Sequence, residues 1–286
     1  MISIFIMYSC DRQEQLSKTI RFLREMEFYS ECQKTLVVDG KTNVVPHDFD
    51  VIQVSRSAGQ FVWADMWHAG VATARFENIL YLDSDRLLPT NYLKLVLDHV
   101  CDGRFVFTRQ HFLMTGAEIE DDDCRFLLES DPKEARCSDI RFLNKLKYDP
   151  RHKEPFSGAG KNVMSGNTAF TKKTFLRLGG VDRWYRGHGA YADTDFHMQA
   201  GRAGCQFVDL GVNELHCWHP KLLGDQIVTK QKLDQMSLDN FIYYCNKWKL
   251  PTTLAENIAH NIGVKKPSAY VEEKVKEYAK GSSKKD

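Results

Sequence analysis

Three consecutive residues directly after an apolar run could bind a metal ion. Asp83, Ser84 and Asp85 follow the run at 78–82, which has the composition of a buried strand. Two carboxylates this close together in a poorly solvated place repel each other, so their burial is costly unless a positive charge neutralises them. A divalent cation would do so, and oxygen ligands suit Mn²⁺ or Mg²⁺. The alternative is that Asp83 caps the following turn and Asp85 is solvated.

An alternating pattern of strands and helices would position these carboxylates. Short apolar runs read as buried strands and lie at 2–8, 35–38, 51–54, 78–82 and 104–108. Helical periodicity between them, at 13–26 and 60–75, is typical of parallel strands joined by crossover helices. Ligands of open α/β sheets bind at the carboxyl ends of the strands. The sequence therefore predicts that Asp83 and Asp85 lie at a ligand-binding edge.

The second half of the chain has a less regular pattern. At 110–161 the periodicity fails and charges are frequent, which predicts an insertion of loops and short helices. Regular signals then resume, and the elements expected are strands at 163–170 and 207–215 and helices at 172–178, 193–204 and 226–248. The charged end of the chain, 281–286, is expected to be disordered.

Composition and length favour a soluble protein with a sizeable core. The chain has 286 residues, 43% of them apolar, and a formal net charge of +1, so no overall field attracts it to nucleic acid or anionic lipid. The first apolar run is far shorter than the roughly 20 residues of a membrane span, and no Lys or Arg precedes it as a secretion signal would require. Eight scattered cysteines without C-x-x-C spacing indicate reduced thiols. We therefore expect a cytoplasmic protein with no membrane span.

Several segments, in order along the chain, resemble one family of transferases. The sequence YLDSD at 81–85 resembles the LDxD element of the GT-A glycosyltransferases, especially family 2, with relatives among chondroitin-polymerase and galactosyltransferase-like enzymes. The sequence GNTAFTKKTFLRLGGVD at 166–182 resembles the family's GGxxAFRRxxFxxLGGFDE. ADTDF at 192–196, followed by AG at 203–204, matches EDxDLxxRxxxAG in spacing. The resemblance implies a GT-A fold and a nucleotide-sugar donor, which we expect to be UDP-linked.

The resemblance also implies a set of donor-binding residues. VVDG at 37–40 resembles the family's VVDDGS, whose Asp commonly contacts uracil, although one Asp is missing here. The family's ARNxG, which makes a phosphate or base contact, is replaced by MWHAG at 66–70. The residues expected to contact the nucleotide-sugar are Ser9, Asp11, Arg12, Asp39, Arg56, Asp83 and Ser84.

Asp193 occupies the position of the general base in inverting members of the family. A partly buried carboxylate within hydrogen-bond reach of the acceptor hydroxyl suits this task. Its alternative is helix capping, because an Asp in the first turn of a helix is favoured by the dipole and the unpaired amides, and we favour capping for Asp195. Ala192 stands where the family has an acceptor-binding Glu, and Gln199 replaces an Arg. We therefore expect other side chains to bind the acceptor, namely Trp184, Tyr185, His188 and Tyr191.

The metal site implied by the resemblance includes a histidine. His216 follows a late strand, where metal-dependent relatives often supply a third ligand. A lone histidine is more often structural, but His216 and His219 lie close together, and we choose His216. The expected ligands are thus Asp83, Asp85 and His216. Mn²⁺ or Mg²⁺ held there would offset the charge that develops on the leaving nucleotide.

The resulting hypothesis is an α/β protein of GT-A, Rossmann-like fold, with a mostly parallel sheet flanked by helices, an inserted loop region and a helical C-terminal extension. The expected parts are a catalytic domain at 1–225 and an extension with a disordered tail at 226–286. The catalytic domain would comprise a nucleotide-binding half at 1–109, the insertion at 110–162 and an acceptor half at 163–225. Such an enzyme would invert the anomeric centre, although the altered ED pair leaves retention open.

Two rival functions and several acceptors stay open. A nucleotidyltransferase of related fold should have a Gly-rich, basic loop after the first strand, which 9–12 does not offer. A non-catalytic carbohydrate-binding descendant is consistent with Ala192. The acceptor is expected to be a saccharide, a lipid-linked intermediate or a protein. Modified DNA is less favoured because the net charge is near zero.

Overall fold

The computed structural model describes most of the chain. The described residues are 1–9, 12–40, 42, 45–54, 63–113, 119–130, 146–148, 166–185, 191–217, 222–223, 226–227 and 230–282. Its strands are β1 (Ile2–Ser9), β2 (Gln33–Asp39), β3 (Asp50–Val54), β4 (Asn78–Asp83), β5 (Arg86–Leu87), β6 (Arg104–Leu113), β7 (Leu146–Tyr148), β8 (Asn167–Thr171), β9 (Gln206–His216), β10 (Leu222–Leu223) and β11 (Gln226–Ile227). Its α-helices are α1 (Gln13–Arg24), α2 (Trp63–Thr73), α3 (Tyr92–His99), α4 (Asp121–Glu129), α5 (Lys172–Arg177), α6 (Ala192–Arg202), α7 (Lys230–Trp248), α8 (Thr253–Asn261) and α9 (Pro267–Ser282).

A single large sheet organises the fold, in the order β3-β2-β1-β4-β8-β6-β9-β5, with β7 paired to β6. The first four of these strands run parallel. Their register places Ser9 opposite Asp39 and Met7 opposite Asp83. The carboxyl ends of β1, β2 and β4 therefore meet at one edge of the sheet, where ligands of such sheets bind.

The second half of the sheet brings a distant strand to the same edge. β8 runs antiparallel between β4 and β6, and β9 runs parallel to β6. The short strand β5, just after Asp85, pairs antiparallel with the end of β9, so that Arg86 lies opposite His216. This pairing fixes His216 beside the Asp83 to Asp85 segment, although the two are far apart in sequence.

Both faces of the sheet are covered by apolar layers. On one face, α1 and α3 cover the alternate side chains of β1, such as Ile4 and Ile6. On the other face Trp67 of α2 is fully buried and packs against Tyr81, with ring centroids 4.1 Å apart and the ring planes tilted by 40°. Helix α2 lies very close to β1 because Gly70 has no side chain, and a Cβ there would lie 2.6 Å from the ring of Phe5. Burial of each of these large side chains stabilises the fold by roughly 2–3 kcal/mol.

The C-terminal helices belong to the second of these layers. Buried residues of α7, α8 and α9, among them Ile242, Ala255 and Val271, share one apolar cluster with Trp67 and Phe196. The extension is therefore packed onto the same core as the sheet. None of the helices in the described part of the chain is both long and apolar enough to span a bilayer.

The predicted α/β fold class is confirmed, while several predicted boundaries shift. β6 continues to Leu113, past its predicted end at 108, because β9 pairs with it along this length. The last long helix starts at Lys230 and not at 226, because Gln226–Ile227 forms a small hairpin with Leu222–Leu223. A short helix, Asp121–Glu129, lies in the predicted insertion. The end of the tail, 283–286, lies outside the described residues.

Candidate active site

The turn between β4 and β5 carries the candidate metal ligands. Asp83 ends β4, and its backbone N–H donates to the Gly166 carbonyl at 2.8 Å. The Asp85 carbonyl accepts from the Cys217 N–H at 2.8 Å, which ties the turn to β9. Asp85 is 0% exposed, whereas the side chain of Asp83 is 23% exposed. Asp85 is therefore a buried carboxylate that needs charged partners.

Two guanidinium groups surround Asp85. Arg12 Nη1 lies 2.6 Å from Asp85 Oδ2, and Arg86 Nε lies 3.1 Å from Asp85 Oδ1. A divalent ion is therefore not required to neutralise the charge of Asp85, because the chain supplies two cations of its own. Sequence reasoning assigned Arg12 to the donor and did not pair it with Asp85, which is 73 positions away. It gave no role to Arg86, although Arg86 directly follows Asp85.

Arg86 is the centre of a buried network of three carboxylates. Its Nη2 lies 3.3 Å from Asp83 Oδ2 and its Nη1 lies 2.8 Å from Glu214 Oε1. Burial alone would lower the pKa of Arg86, but the charges of Glu214, Asp85 and Asp83 raise it above its ordinary value. The guanidinium fits only because Gly166, at φ +91°, has no side chain; a Cβ there would lie 2.1 Å from Cζ of Arg86.

Glu214 is a site residue that the motifs did not reveal. Burial raises its pKa, while Arg86 and hydrogen bonds from Thr108 Oγ1 and Asn167 Nδ2 act in the opposite direction. Those two hydrogen bonds to Oε2 measure 2.5 and 2.9 Å. The available signal was a charged residue inside a predicted strand, because a buried charge requires a partner.

Tyr81 is hydrogen-bonded to Asp83 and interacts electrostatically with Asp193. The Tyr81 hydroxyl donates a hydrogen bond to Asp83 Oδ1. Burial raises the pKa of Tyr81 well above its ordinary value, and the negative charges of Asp83 and Asp193 add to this effect. Tyr81 thus stays protonated, and Asp193 lies within electrostatic range of the same hydroxyl. Tyr81 also shares an apolar cluster with Ala192 and Phe196 of α6, so the start of α6, with Asp193, lies on the same face of the sheet as Tyr81.

Asp85 and His216 have a geometry that fits a cation. Asp85 Oδ2 and His216 Nε2 lie 3.4 Å apart. Neighbouring ligands of an octahedral ion, with bonds of about 2.1 Å, lie roughly 3 Å apart, and a carboxylate with an imidazole suits Mn²⁺. Among the described residues no group of three carboxylate, imidazole or thiol side chains is assembled as a metal site, so Asp83 does not complete a set with these two. Arg12 contacts the same oxygen that a cation would bind, and it would have to move.

Those of the predicted donor-binding residues that the structure describes lie along the edge formed by β1, β2 and β4, or next to it. Ser9 and Asp39 face each other in the parallel register, and Asp39 is fully buried. Ser84 is buried in the acidic turn, and Arg12 precedes α1. Asp11 and Arg56 lie outside the described residues.

Asp193 and Asp195 have different surroundings at the start of α6. Asp193 is half-buried, and its Oδ1 accepts from the Thr194 N–H at 2.8 Å. Asp195 is fully buried and accepts hydrogen bonds from Lys247 Nζ, Trp248 Nε1 and Gln199 Nε2, each at 2.7 Å. The expectation that Asp195 caps the helix is therefore corrected, because its carboxylate binds α7 and not the free amides of its own helix.

Aromatic residues expected to bind the acceptor pack against α7. Trp184 stacks on Tyr243 with centroids 5.9 Å apart, and Tyr191 lies against Phe241 at 4.9 Å. Tyr185 meets Tyr243 edge-on and is only 3% exposed, so it has little surface to offer a sugar. His188 lies outside the described residues. Trp184 and Tyr191 are half-buried, and their contact with an acceptor stays a prediction.

The sheet order and the edge just described define the GT-A glycosyltransferase fold, which confirms the fold predicted from the motifs. Among solved structures, the chain is similar to GalNAc-T7 with UDP, GalNAc and Mn²⁺ (TM-score 0.55, 13% identity, 96% of this chain and 56% of that one). It is also similar to S. aureus TarS 1–349 in complex with UDP-GlcNAc (TM-score 0.51, 12% identity, 91% of this chain and 71% of that one). The chain thus spans about half the length of the GalNAc-T7 chain. No protein-family model and no curated protein matches the sequence.

Proposed function

We propose that this protein is a metal-dependent glycosyltransferase that moves a sugar from a UDP-sugar to a hydroxyl acceptor. The observation that carries the proposal is the pair Asp85 and His216, 3.4 Å apart at the carboxyl edge of the sheet. Ser9 and Asp39 lie at the same edge, and Asp193 interacts electrostatically with Tyr81, which is hydrogen-bonded to Asp83. Similarity of fold to two proteins crystallised with UDP or UDP-GlcNAc supports the choice of donor.

In this mechanism the residues of the edge hold the donor while Asp193 prepares the acceptor. Ser9, Asp39 and Ser84 would contact the nucleotide-sugar, and Asp85 with His216 would hold Mn²⁺ or Mg²⁺. The cation supplies positive charge that offsets the charge developing on the UDP leaving group. Arg12, released from Asp85, would turn to the diphosphate. Tyr81 holds Asp83 in place through its hydrogen bond.

Asp193 takes the proton of the acceptor hydroxyl as its oxygen forms a bond to the anomeric carbon. The bond between that carbon and the UDP oxygen breaks with its electron pair going to UDP. Direct displacement of this kind inverts the anomeric centre. The acceptor hydroxyl would belong to a saccharide, a lipid-linked intermediate or a protein, held by Trp184, His188 and Tyr191.

A second candidate function is favoured by one observation. Ala192, where the motif has a Glu, is buried and offers no polar group to an acceptor. A carbohydrate-binding descendant without activity would show this loss. It would retain UDP-sugar binding and have no turnover.

Turnover of UDP-sugars with and without metal separates these two functions. We expect the protein to release UDP from UDP-GlcNAc or UDP-GalNAc, with water as acceptor, when Mn²⁺ is present and to lose this activity when EDTA is added. UDP is measured by a coupled assay, and a preparation of Asp193→Asn serves as the background. Binding of both donors without any UDP release would support the non-catalytic function instead.

Replacement of Arg12 should strengthen metal binding in the absence of nucleotide. In Arg12→Met, Asp85 Oδ2 loses the cation that competes with the metal. A hydrogen bond to a charged group contributes about 1.5–3 kcal/mol, so we expect Mn²⁺ affinity to rise by about 10-fold or more. Titration of free Mn²⁺ by electron paramagnetic resonance measures this without any turnover.

Arg21→Met, on the same helix α1, is the matched control, because Arg21 pairs with Asp121 and not with the acidic turn. Its Mn²⁺ affinity should equal that of the unmodified protein. An unchanged or weaker Mn²⁺ affinity in Arg12→Met would mean that Arg12 does not compete for the ion.

A further inference from the structure

Helix α7 of the C-terminal extension binds the segment that leads to Asp193. Lys247 Nζ lies 2.7 Å from Asp195 Oδ2 and 2.9 Å from Asp182 Oδ2. Trp248 Nε1 donates to Asp195 Oδ1 at 2.7 Å, and the Tyr243 hydroxyl donates to Asp182 Oδ2 at 2.8 Å. Adjacent side chains of one helix therefore hold both ends of the segment 182–195.

The ion pair between Asp195 and Lys247 involves a carboxylate that is fully buried. Burial raises the pKa of Asp195, and the positive charge of Lys247 opposes this effect. Removal of one partner of a buried pair leaves an uncompensated charge, which is strongly unfavourable. Without Lys247, Asp195 would take up a proton or move toward water, and in either case the start of α6 loses its ionic contact with α7.

Any such movement would reach Asp193. Asp193 and Asp195 both lie in the first turn of α6, so the carboxylate of Asp193 moves with the backbone that Asp195 anchors. Tyr191, which precedes this turn at φ +71°, is also packed on α7 through Phe241 and Tyr244. The start of α6 is thus held by α7 on both sides of Asp193.

The positive charge next to Asp195 comes from α7 and not from α6 itself. Gln199, one turn further along α6, contacts Asp195 only through its neutral amide. The GT-A motif that this segment resembles has an Arg at that position. A cavity of about 350 Å³ lies beside these groups, lined by His68, Gly180, Asp182, Arg183, Gln199 and Lys247. A longer, charged side chain at position 199 therefore has both room and a partner.

We infer that Lys247 and Trp248 are positioning residues of the transfer reaction, which hold Asp193 at the acceptor by fixing Asp195. This inference rests on the proposed function, in which Asp193 is the general base. In this inference the C-terminal extension contributes to catalysis, because its helix α7 positions the general base. The donor site, formed by β1, β2, β4 and the acidic turn, lies outside the contacts that α7 makes with Asp182 and Asp195.

Lys247→Met tests this inference through a split between rate and donor affinity. We expect the kcat of Mn²⁺-dependent UDP release from UDP-GlcNAc to fall by about 10- to 100-fold, as misplacement of a catalytic group by 1 Å can cause. The KM for UDP-GlcNAc and the Kd for UDP should change by less than about twofold. Lys247→Arg, which retains the charge, should keep most of the rate. Lys276→Met, at an exposed position on α9, is the matched control and should behave like the unmodified protein.

The double variant Lys247→Met with Gln199→Arg distinguishes positioning from a general loss of structure. An Arg at 199 returns a positive charge to Asp195 from within α6, so at least part of the lost kcat should return. Trp248→Phe removes one hydrogen bond and keeps an aromatic ring, and it should show a smaller loss of kcat. It also provides the test if Lys247→Met does not fold, as judged by thermal unfolding.

Failure of this inference can be told apart from failure of the proposed function. If Asp193→Asn is fully active, the general base is elsewhere and the proposed function is wrong in that part. If Asp193→Asn is inactive while folded Lys247→Met and Trp248→Phe keep full kcat, the positioning role is overturned. A kcat that falls together with a large loss of UDP affinity would also overturn it.

Discussion

Asp193→Asn is expected to lower turnover of UDP-sugar by about 100-fold or more, the usual contribution of a positioned general base. The amide has the same shape as the carboxylate but cannot accept the proton of the acceptor hydroxyl. Asp193 is half-buried, and its Oδ1 accepts a hydrogen bond from the Thr194 N–H that an amide oxygen can also accept, so the fold should tolerate the change. Mn²⁺-dependent UDP release measures the rate, and calorimetric titration with UDP should show unchanged affinity.

The matched control for this variant is Asp98→Asn. Asp98 is exposed on α3, away from the acidic turn, so its replacement should leave the rate unchanged. A fully active Asp193→Asn would assign the base to another residue. A loss of UDP affinity as large as the loss of rate would instead place Asp193 at the donor.

Loss of the proposed metal ligands should abolish the effect of Mn²⁺ on UDP binding. Asp85→Asn removes the charge from the oxygen that faces His216, and His216→Gln removes the imidazole nitrogen. Removal of an outer partner of a metal ligand costs roughly 10- to 100-fold in affinity, and removal of a ligand should cost at least as much. Calorimetric titration with UDP, in Mn²⁺ and in EDTA, gives the ratio of affinities for each variant.

The two variants differ in their expected stability, which is why both are needed. Asp85 is buried between Arg12 and Arg86, and breaking a buried ion pair costs about 3–5 kcal/mol, so Asp85→Asn should lower the unfolding temperature. The side chain of His216 is partly exposed, so His216→Gln should fold normally. His260→Gln, at an exposed position on α8, is the control. If both variants keep the Mn²⁺-dependent gain in UDP affinity, the ion does not bind at this turn.

The sequence predicts the edge formed by the carboxyl ends of β1, β2 and β4, because a helix between two short apolar runs indicates that the strands run parallel. Apolar runs locate β1, β2 and β4, and parallel pairing then places the residues that follow them at one edge. Ser9, Asp39 and Asp83 meet there as a direct consequence of the register. The motif at 81–85 could therefore be placed without any knowledge of distant contacts.

The ionic partners of the site could not be predicted in this way. Arg86 pairs with Glu214, 128 positions away, and Lys247 pairs with Asp195, 52 positions away. Periodicity shows that a segment is helix or strand, but it does not show which remote side chains meet. The difference between prediction and structure is largest at the acidic turn. The sequence predicts two carboxylates that repel each other, whereas the structure pairs Asp85 with the guanidinium groups of Arg12 and Arg86. The same limitation applies to α7, which the sequence assigns to a C-terminal extension and whose Lys247 pairs with Asp182 and Asp195.

The antiparallel pairing of β5 with β9 has a consequence for how a cation would be bound. The Asp85 carbonyl and the Cys217 amide are hydrogen-bonded, and Arg86 faces His216 in the same ladder, so the backbone holds the Asp85–His216 spacing before any ligand arrives. If the proposed cation binds there, the main rearrangement would be a swing of the long side chain of Arg12 away from Asp85. Binding would then cost little conformational entropy, because the backbone of β5 and β9 is already in place and only the side chain of Arg12 has to change its rotamer.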